Sequence, residues 1–298
     1  MPHEHVEDGR RLGRRAPSRR PALRLGPLLT AGVPAHPITV DHLSRVFDFE
    51  LYRNDQFGDC GPVSVANSLK ALTVYADVPE RSPSQEDVFD LYRRSGNPRF
   101  DPATGADDNG VDMQTMLEAL LAGGIGGYRP VCFAQVDHTN LDELRAAVSI
   151  FGVALLGVDL QVAQQDQTYR GLWDYSRSAE WGGHAVAAGA YTSASGHGLD
   201  VSVVTWGDVL GTTDEFLTHQ LDEAWVVIWP EHLSHPAFQA GIDLPALASA
   251  YRELTGRTLP LPGPTPGPAP AAGYSLLDRV RAFLARLAQG IRNFIDSL

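Results

Sequence analysis

The strongest constraint on this chain is a change of hydrophobic texture near Gly152: helical periodicity before it, short apolar or alternating blocks after it. Val65, Leu69, Leu72 and Ala76 recur at spacings of four, three and four, which predicts a helix over Val63–Tyr75 with one buried stripe. Three further helices carry their own start and stop signals. Ser84 with Asp87 opens one that Gly96 follows, and Asp112 opens another that Gly123-Gly124 stops. Asn140 with Glu143 opens the last, whose face is Leu141, Leu144, Val148 and Phe151. Beyond them, Val153–Leu160 is almost continuously apolar, as a central strand is. His184–Tyr191, Val201–Trp206 and Ala224–Trp229 predict further strands, with a turn at Ala194–Gly198. Helices followed by an antiparallel sheet define an α+β fold, with a cleft between the two halves.

Composition narrows the function. A net charge of −12 argues against nucleic-acid binding, and two cysteines, Cys60 and Cys132, do not make a disulfide framework. No apolar run reaches the ~20 residues that span a bilayer. Residues 1–24 hold seven arginines between Arg10 and Arg24 and predict a disordered arm. Ser18-Arg19-Arg20 faintly resembles a twin-arginine export signal, but the apolar stretch after it is short and broken by Gly26, Pro27 and Gly32. The expectation is a soluble, cytoplasmic protein, with export as the weaker alternative.

The remaining segments are read as connections and appendages. Leu25–Leu43, with Pro27, Pro34 and Pro37, is expected to run extended over the surface. The alternation of Phe47, Phe49 and Leu51 with acidic residues predicts a short half-buried strand. Asn97–Gly110, which includes Asp107-Asp108, and Gln161–Glu180 are expected to be polar loops. The main domain is expected over 25–258, ending in a helix at Leu244–Leu254. A Pro/Gly-rich linker at 259–273 and an amphipathic helix at 274–298 follow, the helix suited to self-association or to docking on a partner.

The chemistry centres on Asn54-Asp55-Gln56-Phe57-Gly58-Asp59-Cys60-Gly61-Pro62, a turn-rich loop that delivers a cysteine to a helix N-terminus. Unsatisfied N–H groups and the helix dipole favour the thiolate there, and the thiolate is the nucleophile. A base is offered by Trp181-Gly182-Gly183-His184, a histidine entering a strand behind glycines that admit another chain. Such a histidine can take the thiol proton and return it to a leaving amine. No phosphate-cradling loop and no paired metal-ligand spacing stands out, so neither cofactor nor metal is expected; His3 and His5 lie in a floppy arm.

These residues carry a resemblance. The Cys60 loop and helix, the Gly-Gly-His strand and Val203-Val204-Thr205-Trp206-Gly207 resemble the papain-like cysteine peptidase superfamily over roughly residues 45–232. Asp59-Cys60-Gly61-Pro62 is closer to its bacteriocin-processing branch, and the overall pattern is similar to papain-like proteins of bacteria and their phages. The resemblance implies Cys60 as nucleophile, His184 as general base and a peptide or protein substrate. It implies an oxyanion donor at Asn54, where the family has glutamine, with Gln56 as the alternative. The family's asparagine that orients the histidine corresponds to Val204, which cannot do so. Thr205, Asp208 or Asp200 are the candidates in its place, and a Cys–His dyad without a third member is the other option. Trp206 is expected to shield the pair, and Trp173 and Tyr175 to line the cleft. The readings carried forward are a thiol hydrolase, an acyltransferase using the same dyad, and a catalytically silent binding module.

Overall fold

The computed structural model describes residues 10–30, 32–192 and 199–261. The C-terminal amphipathic helix, most of the linker and the turn at Ala194–Gly198 lie outside these residues. In chain order the elements begin with β1 (Arg14–Arg15), β2 (Thr39–Asp41), α1 (Cys60–Ala76), α2 (Gln85–Arg94), β3 (Val111–Asp112) and α3 (Met113–Gly123). There follow β4 (Cys132–Val136), α4 (Leu141–Phe151), β5 (Ala154–Gln161), α5 (Ala163–Arg170), β6 (Leu172–Trp173) and β7 (Glu180–Thr192). The last are β8 (Leu199–Thr205), β9 (Asp208–Thr213), α6 (Asp214–Gln220), β10 (Leu221–Ile228), α7 (Pro236–Gly241) and α8 (Leu244–Thr255).

One sheet organises all of this. Its strand order is β4-β10-β5-β7-β8-β9-β6, with β2 added along β7, and only the β6–β9 pair is parallel. Side-chain alternation divides its two faces. From β5, Ala154, Leu156, Val158 and Leu160 join a core with α4, α6, α7 and α8, while Leu155 faces the core built on α1, α2 and α3. The two cysteines fall in different cores and are both free. The α+β expectation and the cap residues of the early helices match this architecture. The Ser84 capping box forms, and Asp112 and Asn140 accept hydrogen bonds from the first turns of α3 and α4.

Several local expectations are corrected. Phe47–Leu51 is not a strand: Asn67 on α1 pins Glu50 through both its amide atoms instead. Leu25, Leu28 and Leu29, expected at the surface, are core residues, and Leu259, expected in the linker, is buried as well. The Gln161–Glu180 loop contains α5 and β6, and Asn97–Gly110 is held by Tyr92 and Asn97 rather than loose.

The largest departure is the arm. From Arg10 onward the segment expected to be disordered runs through the groove between α1 and the sheet, and β1 pairs with β3 in parallel. Three glycines make room for it. A Cβ on Gly13 would meet the Gly58 carbonyl oxygen at 1.9 Å, one on Gly110 would meet Gly13 O at 2.2 Å, and one on Gly183 would meet Arg14 O at 2.3 Å. Composition points to disorder; tertiary contacts override it.

Candidate active site

Cys60 is the first residue of α1, and two contacts set its position. Gly61 lets the helix approach β3 and α3, since a Cβ there would lie 2.6 Å from Val111 and 2.8 Å from the Met116 sulfur. Asp108 accepts from the backbone N–H of Gly58 at 2.9 Å and from the Tyr92 hydroxyl at 2.7 Å, fixing the loop two residues before the cysteine. The polar sequence around Asp108 suggests a solvated side chain; its role is instead a long-range one.

The sulfur takes backbone hydrogen bonds from Ala185, the neighbour of His184 on β7, and from Gly13 of the arm. Under the arm Cys60 is 1% exposed and His184 0%. Burial pushes the Cys60 thiol up to about 12, the two N–H contacts pulling the other way. Burial pushes His184 down to about 3, and the nearby Arg14 guanidinium adds to it. Both groups are therefore neutral across the ordinary pH range while the arm is seated.

His184 is held on two sides. Its Nε2 lies 2.7 Å from Thr205 Oγ1, and Trp206 stacks on its ring with centroids 4.2 Å apart at 15°. Nδ1 has no hydrogen-bond partner among the described residues. Thr205 ends β8, and Trp206-Gly207 forms the tight turn to β9 with φ of 47° and 81°. Positive φ at both central residues is what a type I′ hairpin requires, and it is an uncommon conformation for tryptophan.

Of the expected site residues, His184, Thr205 and Trp206 come together with Trp173 beside them, and the Cys60 sulfur lies on the backbone of the next residue, Ala185; three others lie elsewhere. Asn54 is buried, but its amide nitrogen is engaged by Phe57 O at 3.1 Å and by Asp59 Oδ1 at 3.2 Å. It shapes the loop instead of offering a hydrogen to the groove. Gln56 is exposed, its oxygen accepting from Arg53 at 2.8 Å. Asp208 is exposed at the β8–β9 turn and lines a different hollow with Phe49 and Val209. Trp173 packs edge-on against His184 and Trp206, with centroids 6.4 and 6.2 Å away, but it is fully buried with its indole N–H donating to Thr168 at 2.9 Å, so it backs these rings from the core instead of lining a cleft. Asp59 beside the cysteine is also sealed in; burial pushes its carboxyl well above the ordinary range, with the Asn54 amide opposing.

Sequence reasoning missed a cluster around Arg14. Its guanidinium reaches Asp159 and Asp222, each at 2.6 Å, and Glu223 at 3.1 Å. Trp225 holds the second oxygen of Glu223 at 2.7 Å. Burial raises Glu223 to about 7, against the pull of Trp225 and Arg14. Asp159 was the discoverable signal: a carboxylate in an otherwise apolar central strand needs a partner. Among the described residues no group of three or more His, Cys, Asp and Glu side chains is arranged to hold a metal.

This architecture is the papain-like cysteine peptidase fold. Xylellain, a cysteine protease from Xylella fastidiosa, is similar with a TM-score of 0.52 at 13% identity, over 73% of this chain and 96% of that one. Digestive procathepsin L 3 from the larval midgut of Tenebrio molitor is similar with a TM-score of 0.50 at 13% identity, over 70% and 74% of the two chains. The proform of the ragweed pollen cysteine protease Amb a 11 gives a TM-score of 0.50 at 14% identity, over 67% of each. No family profile and no curated protein sequence matches the chain. Among the described residues, no helix is long and apolar enough to cross a membrane.

Proposed function

We propose that this chain is a thiol hydrolase acting on peptide or amide bonds, and that its own residues 10–15 hold it latent. The observation that carries the reading is the arrangement around His184: one ring nitrogen fixed by Thr205, the other unpartnered, the face covered by Trp206, and the next residue's N–H on the Cys60 sulfur. With the arm displaced, His184 Nδ1 takes the thiol proton and the thiolate attacks the substrate carbonyl carbon. The tetrahedral oxyanion draws on the backbone N–H of Cys60 at the start of α1. Collapse expels the amine, which leaves with the proton from His184; water then cleaves the thioester by the same exchange.

The seated arm meets the sulfur through an N–H. Gly13 presents its N–H to the sulfur, while its carbonyl is engaged by the Val111 N–H at 2.7 Å. Latency also accounts for the neutral thiol and imidazole, which an active dyad would not tolerate.

The rival reading, a silent binding module, draws on that same burial of both reactive groups. The test is peptide hydrolysis by the full chain carrying Gly13→Val, compared with the same chain also carrying Cys60→Ala. Hydrolysis that disappears with Cys60→Ala is expected. Equal inertness of both proteins, with the Cys60 thiol of the first rapidly alkylated, favours the binding module.

A further inference from the structure

In the groove the arm's own Arg14 side chain is enclosed by three carboxylates. We infer that Asp159, Asp222 and Glu223 form a specificity pocket for an arginine side chain of the substrate, one or two residues from the bond attacked by Cys60. This deepens the proposed hydrolase reading and rests on it.

Three observations converge. Arg14 directly follows Gly13, the residue over the sulfur, and its side chain is 1% exposed, so the pocket is a short fixed step from the nucleophile. Its guanidinium meets carboxylates from two strands: Nη2 on Asp159 of β5 and on Asp222 of β10, Nη1 on Asp222 and Glu223. Paired donors to carboxylate oxygens suit the planar fork of arginine better than the point charge of lysine.

The strands are shaped for this. The β10–β5 register slips between Leu221 and Glu223, and a bulge of this kind re-aims neighbouring side chains; here Asp222 and Glu223, consecutive residues, both reach the same cation. Gly157, paired with Glu223, keeps the pocket open: a Cβ there would lie 2.7 Å from Arg14 Cδ and 2.6 Å from Glu223 Cγ. Asp159 and Asp222 keep side-chain exposures of 53% and 36%, while Glu223 sits at the floor with 1%. When the arm leaves, three carboxylates remain in the groove without the Arg14 cation, which disfavours an apolar or acidic side chain in the same place.

The test uses the full chain with Arg14→Ala, which removes the resident cation. The readout is the rate of iodoacetamide alkylation at Cys60, mapped by mass spectrometry, with two added peptides. One copies residues 10–17; the other carries alanine at the position of Arg14. Arg14→Ala is expected to speed alkylation at least tenfold, and the arginine peptide to protect at a concentration at least tenfold lower than the alanine peptide. Asp159→Asn with Asp222→Asn, both at partly exposed positions, is expected to erase that difference. Cleavage of a mixed peptide pool is read in parallel. Protection by the arginine peptide without any cleavage supports the pocket and removes the hydrolase. Cleavage without preference for arginine near the cut, equal protection by both peptides, or alkylation of Arg14→Ala as slow as in the parent overturns the pocket.

Discussion

Thr205 Oγ1 stands 2.7 Å from His184 Nε2, where the β8–β9 hairpin turns back. A hydroxyl thus occupies the station that the resemblance reserved for an amide one residue earlier, at Val204. In the tautomer whose Nε2–H donates to Thr205, the neutral ring keeps Nδ1 as the acceptor that the proposed proton abstraction needs. Thr205→Val should lower kcat on the order of 10–100-fold with little change in KM, since wrong-tautomer losses can reach ~10⁴ in a stricter triad. Thr205→Asn, whose amide oxygen can accept the same proton, should recover part of that loss. Steady-state kinetics on an arm-released background would check both, and an unchanged kcat in Thr205→Val would leave the contact merely structural.

The arm offers a second handle through Gly13. Any side chain there collides with the Gly58 carbonyl oxygen, which stands 1.9 Å from where the first side-chain carbon would fall. Gly13→Val should therefore unseat the arm and restore solvent to Cys60 and His184. The direction in pH follows from the shifts. Seated, the thiol lies near 12 and should alkylate appreciably only in strong alkali. Unseated, it should react at least tenfold faster at pH 7, with its apparent pKa falling towards or below the free-cysteine value of about 8.5. Iodoacetamide rates between pH 5 and 10 measure this.

Trp206 couples catalysis to backbone strain. Its φ of 47° suits glycine better than any residue with a Cβ. Trp206→Gly and Trp206→Ala both remove the ring stacked on His184 and should both slow turnover. They should part in stability: Trp206→Ala is expected to be the less stable, by about 1 kcal/mol, because alanine keeps the strained φ without the packing. Urea midpoints of the two variants give the comparison directly.

Part of the acid sensitivity should trace to His232, which burial shifts downward together with His42 and His184. Its Nδ1 accepts from the Trp229 N–H at 2.8 Å while Nε2 lies 2.9 Å from the Phe151 carbonyl, so the buried ring serves as a neutral bridge. Burial lowers it to about 4 from an ordinary 6.5. A depressed histidine means that the unfolded chain binds the proton first, so stability is full above about pH 6.5 and declines as pH falls towards 4. The loss should approach roughly 3 kcal/mol at the acid end of that window. His232→Gln should flatten this part of the profile in urea titrations at pH 7 and 4.5, whatever its effect at neutral pH.

What can be read from the sequence is what is decided locally. Ser84, Asp112 and Asn140 announce their helices because capping depends on residues within one turn. The Cys60 loop, His184, Thr205 and Trp206 are legible as candidates because the local motifs on three elements, α1, β7 and β8, carry the resemblance. The arm is not, because arginine- and proline-rich composition signals disorder unless partners are known, and its partners lie 145 and 208 positions away. Asn54 misleads for a related reason: its position matches the family, but its short side chain meets Phe57 and Asp59 first. Helix α6 and strand β9 escape because each is short and weakly patterned, and depends on the neighbouring sheet for definition.

The covalent continuity of residues 10–15 with the body they cover has a kinetic consequence. A tethered segment faces its groove at an effective concentration on the order of millimolar, so any freely diffusing chain competes against that local excess. On the proposed hydrolase reading, turnover in the intact molecule is then governed by how often the tether lifts, and a substrate of modest intrinsic affinity gains more from a loosened tether than from a better fit.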